Sequence, residues 1–333
     1  MVLNYIGSKN KLLPFINEAV QSLCATDKPT TFCDAFSGTG TVGNYFKNEF
    51  SVTSNDTEYY SYVINNGYMC CKYSIKIQKI IDNLNELKGV QGLVADNYSP
   101  LGDRMYFTTE NAKKIDAVRT EINNLLNNKR ITKKEYLFLL ASLLEAADKV
   151  ANIACIYGSY LKNFKKSAVK PIVINPIHKE TKIKNKNKTF NLDVSDLFKK
   201  DIKYNIVYLD PPYNQRQYSS NYFVLNYIAK YKNVELKGKT GIILDCFKSK
   251  FSSKILAKEE FKKLINSIKS NYILLSYNNE GIINSEDILE ILKLKGDVEI
   301  KTKQYKKFKA QQTVKIEFVT EYLYVVKCTS WLL

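Results

Sequence analysis

Residues 31–43 read TFCDAFSGTGTVG, and residues 50–56 read FSVTSND. The first stretch is a short apolar run, Thr31 to Phe36, that enters a glycine-rich turn; the second is another apolar run that ends in acid at Asp56. Between them there is room for a single crossover helix, so the two predict a βαβ unit. That unit implies a parallel sheet whose ligands sit at the carboxyl ends of the strands. Gly38, Gly40 and Gly43 satisfy G-x-G-x-x-G, and Asp56 follows at close to the roughly 20-residue dinucleotide spacing.

The physical content of that motif is limited to close approach of backbone to a ligand, with an acid ready to accept ribose hydroxyls. Asp34 discriminates between ligands, because a carboxylate beside the loop repels a pyrophosphate and attracts the amino and sulfonium cations of S-adenosylmethionine. An ATP loop is excluded: Gly238-Lys239-Thr240 would need glycine at position 233, where Asn233 stands.

Working outward, Leu12, Leu13, Ile16, Ala19, Val20 and Leu23 have helical spacing, with Pro14 near the first turn. From about 65 to 187 the pattern is mainly helical, with a capping box, Thr132-x-x-Glu135, before a long apolar run. This reads as an insertion that closes on a lysine-rich segment between Lys165 and Lys188. The α/β pattern then resumes, with strands at 205–210 and 272–277, a helix near 258–269, and a helix capped by Ser285 that stops near Gly296. Residues 297–305 and 314–328 read as two long strands joined by a basic tip, Lys306-Lys307-Phe308-Lys309. The fold class is therefore α/β, a Rossmann-like sheet formed by 1–64 and 188–333 and interrupted by a helical insert over 65–187.

Composition bounds the function. The 333 residues are 45% hydrophobic and 25% charged, which suits a folded globular chain, and the net charge of +17 suits a polyanionic partner. Only Arg104, Arg119, Arg130 and Arg216 among the 50 basic residues are arginines, so lysine bias accounts for part of that charge. The seven cysteines form no C-x-x-C pair and none follows proline, which removes a zinc ribbon and the Pro-Cys nucleophile of cytosine-C5 transfer. They read as reduced packing residues. His178, the single histidine, excludes any mechanism or metal site that needs two imidazoles. No apolar run reaches transmembrane length and the start has no secretory pattern, so a cytoplasmic protein is expected.

The chemistry is carried by Asp210-Pro211-Pro212-Tyr213, delivered by a strand to the edge of the sheet. The two prolines hold the chain extended and donate no N–H, leaving carbonyl acceptors free. Such acceptors suit an exocyclic amine: its lone pair is delocalised into the base, and attack on a methyl group needs both amino hydrogens held as the nitrogen pyramidalises. Asp210 and the Pro211 carbonyl can supply those acceptors, and Tyr213 a stacking face for a flipped base, worth about 1–3 kcal/mol.

Taken together, Tyr5-Ile6-Gly7-Ser8-Lys9, Asp34 to Gly40, Asp56 and Asp210 to Tyr213 resemble the Dam-like amino-methyltransferases that act on DNA adenine, in that motif order. The stretch from Asp210 to Tyr218, with Gly158 to Lys162 and Ser276 to Gly281, is similar to a restriction-modification branch. The resemblance implies S-adenosylmethionine as cofactor, double-stranded DNA as partner, a possible cognate restriction endonuclease, bacterial cytoplasm on the nucleoid as location, and no metal. It implies that Tyr5 and Lys9 flank the cofactor, with Lys9 a candidate for its carboxylate. Phe36, Ser37, Gly38 and Gly40 would lie beneath the methionine moiety, and Asp56 would take the ribose. Asp193 or Asp196 would read the cofactor adenine, Asp193 being preferred, and the helical insert would recognise the target. Arg216, a bidentate fork directly after the tetrad, and Lys306, Lys307 and Lys309 are candidates for DNA contacts. Cytosine-N4 transfer and a non-catalytic DNA-binding subunit are the alternatives, with an NAD dehydrogenase a remote third.

Overall fold

Helix α1 (Leu13–Asp27) carries Pro14 in its first turn and buries Ile16, Ala19, Val20 and Leu23 on one face, as the spacing predicts. In the computed structural model, which describes residues 3, 7–184, 186–215, 217–244, 248–306 and 318–329, β1 (Thr31–Asp34) and β2 (Ser51–Asn55) then pair in parallel across helix α2 (Thr41–Phe46). Of the candidate residues, Tyr5, Arg216, Lys307 and Lys309 lie outside the described residues, as does the Lys306 side chain.

Helices α3 (Tyr59–Met69), α4 (Ile75–Glu86), α5 (Leu93–Tyr98), α6 (Thr109–Asn127) and α7 (Lys133–Lys149) follow. The Thr132–Glu135 capping box opens α7, with both reciprocal hydrogen bonds present. The chain returns to the sheet through β3 (Lys188–Phe190), the short helix α8 (Val194–Phe198) and β4 (Tyr204–Leu209). Next come a single turn α9 (Tyr218–Asn221), helix α10 (Phe223–Lys230) and a small antiparallel ribbon of β5 (Leu236–Lys237) and β6 (Ile242–Ile243). Helix α11 (Ala257–Ser267), β7 (Ser270–Asn278), helix α12 (Ser285–Lys293) and the hairpin β8 (Gly296–Lys306) and β9 (Phe318–Cys328) complete the chain. The cap of α12 is Asn284, whose side chain accepts from Asp287 N, and the expected cap, Ser285, is the first helical residue. Both types cap well, so one residue of register had no local signal to fix it.

The described strands form a seven-stranded sheet in the order β3-β2-β1-β4-β7-β9-β8, parallel except for β9 and its pairings. Along the central strands, Phe32, Val52, Ile206, Tyr208 and Leu274 pack into one core, and Cys33, Val207, Leu209, Ile273 and Leu275 into the other. This alternation is the period of a strand, and helices cover both faces. The chain steps from β1 to β2 on one side and later to β4 on the other, so a crevice opens between the carboxyl ends of β1 and β4.

The helical layer is continuous with the sheet, because one apolar core runs from α1 and β1 through α3, α4, α6 and α7. A boundary after residue 64 would fall inside α3, and α10 docks among α3, α5 and α7 although it follows β4 in sequence. Arg119 of α6 secures that docking. It is 2% exposed, donates from Nε to Ile228 O (2.9 Å) and from a terminal nitrogen to Ala229 O (2.9 Å), and lies 5.3 Å from the Tyr231 ring. Its guanidinium thus meets carbonyls at the negative end of α10. Further on, Asn111 and Asn85 each both donate to and accept from the backbone of residues 168–174, strapping that segment over the helices. His178 is a packing residue between Tyr68 and Phe138, with Nε2 3.0 Å from Gly67 O and Nδ1 accepting from Glu180 N.

Replacing Arg119 by Met would keep apolar volume but strand two buried carbonyls, at about 1–3 kcal/mol each. We expect Arg119→Met to lower unfolding stability in urea by roughly 2–4 kcal/mol; a midpoint unchanged from wild type would show that α10 is held in some other way.

Candidate active site

Among the described residues the crevice is lined by five carboxylates, Asp34, Asp56, Glu58, Asp193 and Asp210, and one lysine, Lys9. Phe36, Val194 and Phe251 add apolar wall, with Phe36 edge-on to Phe251 at 5.3 Å. Each acid comes from a strand end or the turn beyond it: Asp34 closes β1, Asp56 and Glu58 follow β2, Asp193 follows β3, and Asp210 follows β4.

The glycine loop is built for backbone approach. Gly38 (φ +50°) and Gly40 (φ +81°) both adopt the left-handed conformation, and a Cβ on Gly40 would meet Asn65 Oδ1 at 2.5 Å. Asp56 fixes the loop from the next strand, its Oδ2 accepting from Gly38 N (2.8 Å) and its Oδ1 from Glu58 N (2.9 Å). Ser61 and Asn65 donate to Gly38 O, and Ser37 donates to Asn55 O. Asp34 reaches across to accept from Gly43 N (3.0 Å) in the first turn of α2. The loop is therefore cross-braced by Asp34 and Asp56, two of the acids that face the crevice.

The acids differ in state. Burial pushes the Asp34 carboxyl up to about 8, against the Gly43 N–H that lowers it, with Asp210 and Asp56 adding repulsion. Burial likewise raises Asp56 to about 6, and Glu58 to about 7, where Asn226 donates to it. Asp193 caps α8, accepting from Ser195 N and Oγ, and faces the crevice. Asp196 instead pairs with Lys199 at the surface (2.8 Å). The structure thus separates two acids between which spacing alone could not choose.

At Asp210 the geometry is tightest. Lys9 Nζ lies 3.1 Å from Asp210 Oδ1 and 2.8 Å from Glu321 Oε1 on β9. Burial opposes a charge on Lys9, but Asp210, Tyr213 and Glu321 outweigh it and hold its pKa well above the ordinary lysine value. Burial raises Asp210 to about 6, with Lys9 pulling it down and Glu321 pushing it up. Lys9 also lies 5.4 Å from the Tyr213 ring, which packs edge-on against Tyr277 at 5.8 Å. Pro211 is buried, Pro212 lines the crevice, and Tyr213 O accepts from Ile282 N (3.0 Å). Gln217, just beyond the tetrad, clasps the backbone N and O of Ser249 beside Phe251.

Lys9, Asp34, Phe36, Ser37, Gly38, Asp56, Asp193, Asp210 and Pro212 therefore share one crevice, with Gly40 braced against its floor. Sequence reading missed Glu58, Phe251, Ser249, Gln217 and Glu321. Glu321 alone had a legible signal, as an acid in line with Val319, Leu323 and Val325 at the buried positions of an alternating strand. An acidic, apolar-walled crevice beneath a glycine cradle fits a ligand that carries an ammonium and a sulfonium. Among the described residues no group of three or more His, Cys, Asp or Glu side chains is arranged to hold a metal, and no helix is long and apolar enough to cross a membrane.

The model of the D12 class N6 adenine-specific DNA methyltransferase family matches residues 5–291. The chain is 42% identical to the type II methyltransferase M.NlaIII of Neisseria lactamica, over 98% of this chain and 100% of that one. It is 40% identical to M.CviAII of Paramecium bursaria Chlorella virus 1, over 97% and 98% respectively. Against M.FokI of Planomicrobium okeanokoites it is 35% identical over 98% of its own length and 52% of the relative's.

The Asp34 carboxyl yields a stability prediction. Between about pH 4 and pH 8 the folded state holds a proton on Asp34 that the unfolded chain has lost, so this group withdraws stability as pH rises through that window. Asp34→Asn keeps an acceptor for Gly43 N without the charge. Its stability relative to wild type should therefore grow between pH 5 and pH 8, on the order of 1–3 kcal/mol, in paired urea unfolding curves. A constant difference across that range would contradict the assignment.

Proposed function

This chain belongs to the D12 class N6 adenine-specific DNA methyltransferases, and from that premise we propose that it methylates adenine N6 in double-stranded DNA at a specific site, with the target base flipped into the crevice. The observation that carries the reading is Asp210, an acceptor held between Lys9 and an acid-lined crevice, directly before two prolines. S-Adenosylmethionine, when bound, supplies a methyl carbon made electrophilic by its sulfonium. Asp34, Phe36, Ser37, Gly38 and Gly40 would hold its methionine end, Asp56 its ribose and Asp193 its adenine, with Lys9 beside them at the catalytic carboxylate.

The residues of this chain account for the activation of the base. Oδ2 of Asp210 and the Pro211 carbonyl accept the two N6 hydrogens, which favours a pyramidal nitrogen and frees its lone pair for attack. Pro211 and Pro212 present no competing donor. Tyr213 stacks on the flipped base, its ring already braced by Tyr277. As the N6–methyl bond forms the sulfur–methyl bond would break, the sulfur leaving as a neutral thioether, and the proton then lost from the cationic N6 would pass to the Asp210 carboxylate beside it and on to solvent.

The catalytic core comprises 1–64 and 188–333, and the helical region 65–187 reads the target sequence. Exposed Lys166, Lys170, Lys179, Lys182, Lys184 and Lys186 supply phosphate contacts, together with Arg216, Lys306, Lys307 and Lys309. The type II methyltransferases among the relatives support a cognate restriction endonuclease as partner and the bacterial cytoplasm, on the nucleoid, as the place of action.

Incubation with labelled cofactor and mixed-sequence duplex DNA should yield N6-methyladenine on nucleoside analysis, and Asp210→Ala should lower kcat by about 10²–10³-fold or more. N4-methylcytosine as product, or full activity in Asp210→Ala, would overturn the reading. Because protonation removes an acceptor, kcat should fall as pH drops through about 6. DNA affinity should weaken steeply with salt, and neutralising Lys182, Lys184 and Lys186 together should flatten the log–log slope by about 0.9 per lost contact; an unchanged slope would remove that segment from the interface.

A further inference from the structure

Glu321 is fully buried at the crevice-side end of β9, where it pairs with Asn278 across to β7. Its Oε1 accepts from Lys9 Nζ at 2.8 Å, while Oε2 has no hydrogen-bond partner among the described residues. A buried carboxylate with one oxygen unmatched is costly to maintain in a strand whose neighbouring inward positions are Val319 and Leu323.

The consequence lies one contact away. Lys9 bridges Glu321 and Asp210, so the ammonium that keeps Asp210 ionised is itself shared with a second carboxylate. Without Glu321, the whole Lys9 charge would fall on Asp210 and draw electron density from the oxygen that must accept from the substrate amine. Without Lys9, two buried carboxylates would face each other and one would take up a proton.

We propose that Glu321 is a positioning residue for methyl transfer: by anchoring Lys9 from β9 it fixes where the ammonium stands and divides its charge, so that Asp210, which Lys9 keeps ionised, remains a strong acceptor. Glu321 does not touch the substrate and acts through Lys9. The groups that face Asp210 are Lys9 from the N-terminal turn, Asp34 from β1, Tyr208 from β4 and Glu321 from β9, while Tyr213 after the prolines faces Lys9. Tyr213 and Glu321 both meet the Lys9 cation, and among the described residues Glu321 is the carboxylate that shares it with Asp210.

The inference rests on the role proposed for Asp210, and the experiment keeps the two apart. In the full-length enzyme, kcat and the KM for S-adenosylmethionine are measured against pH for wild type, Glu321→Gln, Glu321→Asp and Asp210→Asn, and for Glu321→Gln combined with Asp210→Asn. In Glu321→Gln an amide oxygen still accepts from Lys9 but the charge is gone. The acid limb of kcat, near pH 6 in wild type, should move down by half a pH unit or more, and plateau kcat should fall by about tenfold with cofactor KM within twofold. Glu321→Asp keeps the charge but is one methylene short, so kcat should fall with the acid limb in place. In the Asp210→Asn background the Gln substitution should have no further effect on kcat.

Superimposable pH profiles for wild type and both Glu321 variants would overturn the inference while leaving Asp210 in its role. So would an undiminished effect of Glu321→Gln in the Asp210→Asn background, or a rise in cofactor KM with kcat intact. If Glu321→Gln does not fold, Glu321→Asp decides alone: unchanged kcat overturns the inference. Full activity in Asp210→Asn and Asp210→Ala would instead defeat the underlying reading.

Discussion

Concentrating carboxylates in one crevice out of water is the constraint on which the rest of this structure depends. Like charges at such distances repel by several kcal/mol where the effective dielectric is low, so each acid needs its own compensation. Asp34 and Asp56 find it in backbone N–H groups of the glycine loop, Glu58 in Asn226, Asp193 in the first turn of α8, and Asp210 in Lys9. Each compensation also shapes the site. The bonds that make the acids tolerable hold the loop open and tie α10 to the crevice through Asn226, which accepts from Tyr60 as well. A cationic ligand would complete a charge balance that the protein leaves unfinished, in a chain whose overall charge is +17.

The same economy governs the helical layer. Several of its polar residues do connective work: Arg119 closes the end of α10, Asp116 accepts from Val94 N, Ala95 N and the Tyr231 hydroxyl, and Asn85 and Asn111 hold the strap at 168–174. Because α10 follows the Asp-Pro-Pro-Tyr loop with only the turn α9 between them, a shift in the helical layer would be transmitted to the chain that carries Asp210. The layer that meets target DNA in the proposed function is thereby coupled to the catalytic strand by packed, hydrogen-bonded groups.

Much of the fold was legible because its signals are local. An apolar run of strand length ending in glycine, a capping box, and helical spacing around Pro14 each report on a few neighbouring residues, and β1, α7 and α1 lie where those signals place them. The site was legible to the extent that its acids stand at strand ends. Most of the misses share a cause: Phe251 and Gln217 reach the crevice, and Glu321 reaches Lys9, from elements whose arrival depends on sheet order and loop path, which no short stretch of sequence encodes. The single-residue error at the cap of α12 differs in kind, since adjacent Asn284 and Ser285 are both competent caps and packing chose between them.

The sequence by itself determined the chemistry on offer: a glycine loop followed by acid, a carboxylate before two prolines and an aromatic ring, and no second imidazole or paired thiols to support another mechanism. Those are properties of residue types at fixed spacing along the chain, and covalent geometry enforces them. Only the tertiary structure decided which charges meet. Lys9 and Glu321 are 312 positions apart, yet their side chains are 2.8 Å apart, because β9 returns antiparallel beside β7 and brings its inward face to the end of β4. Electrostatic state depends on distance and burial, and both are set by that packing.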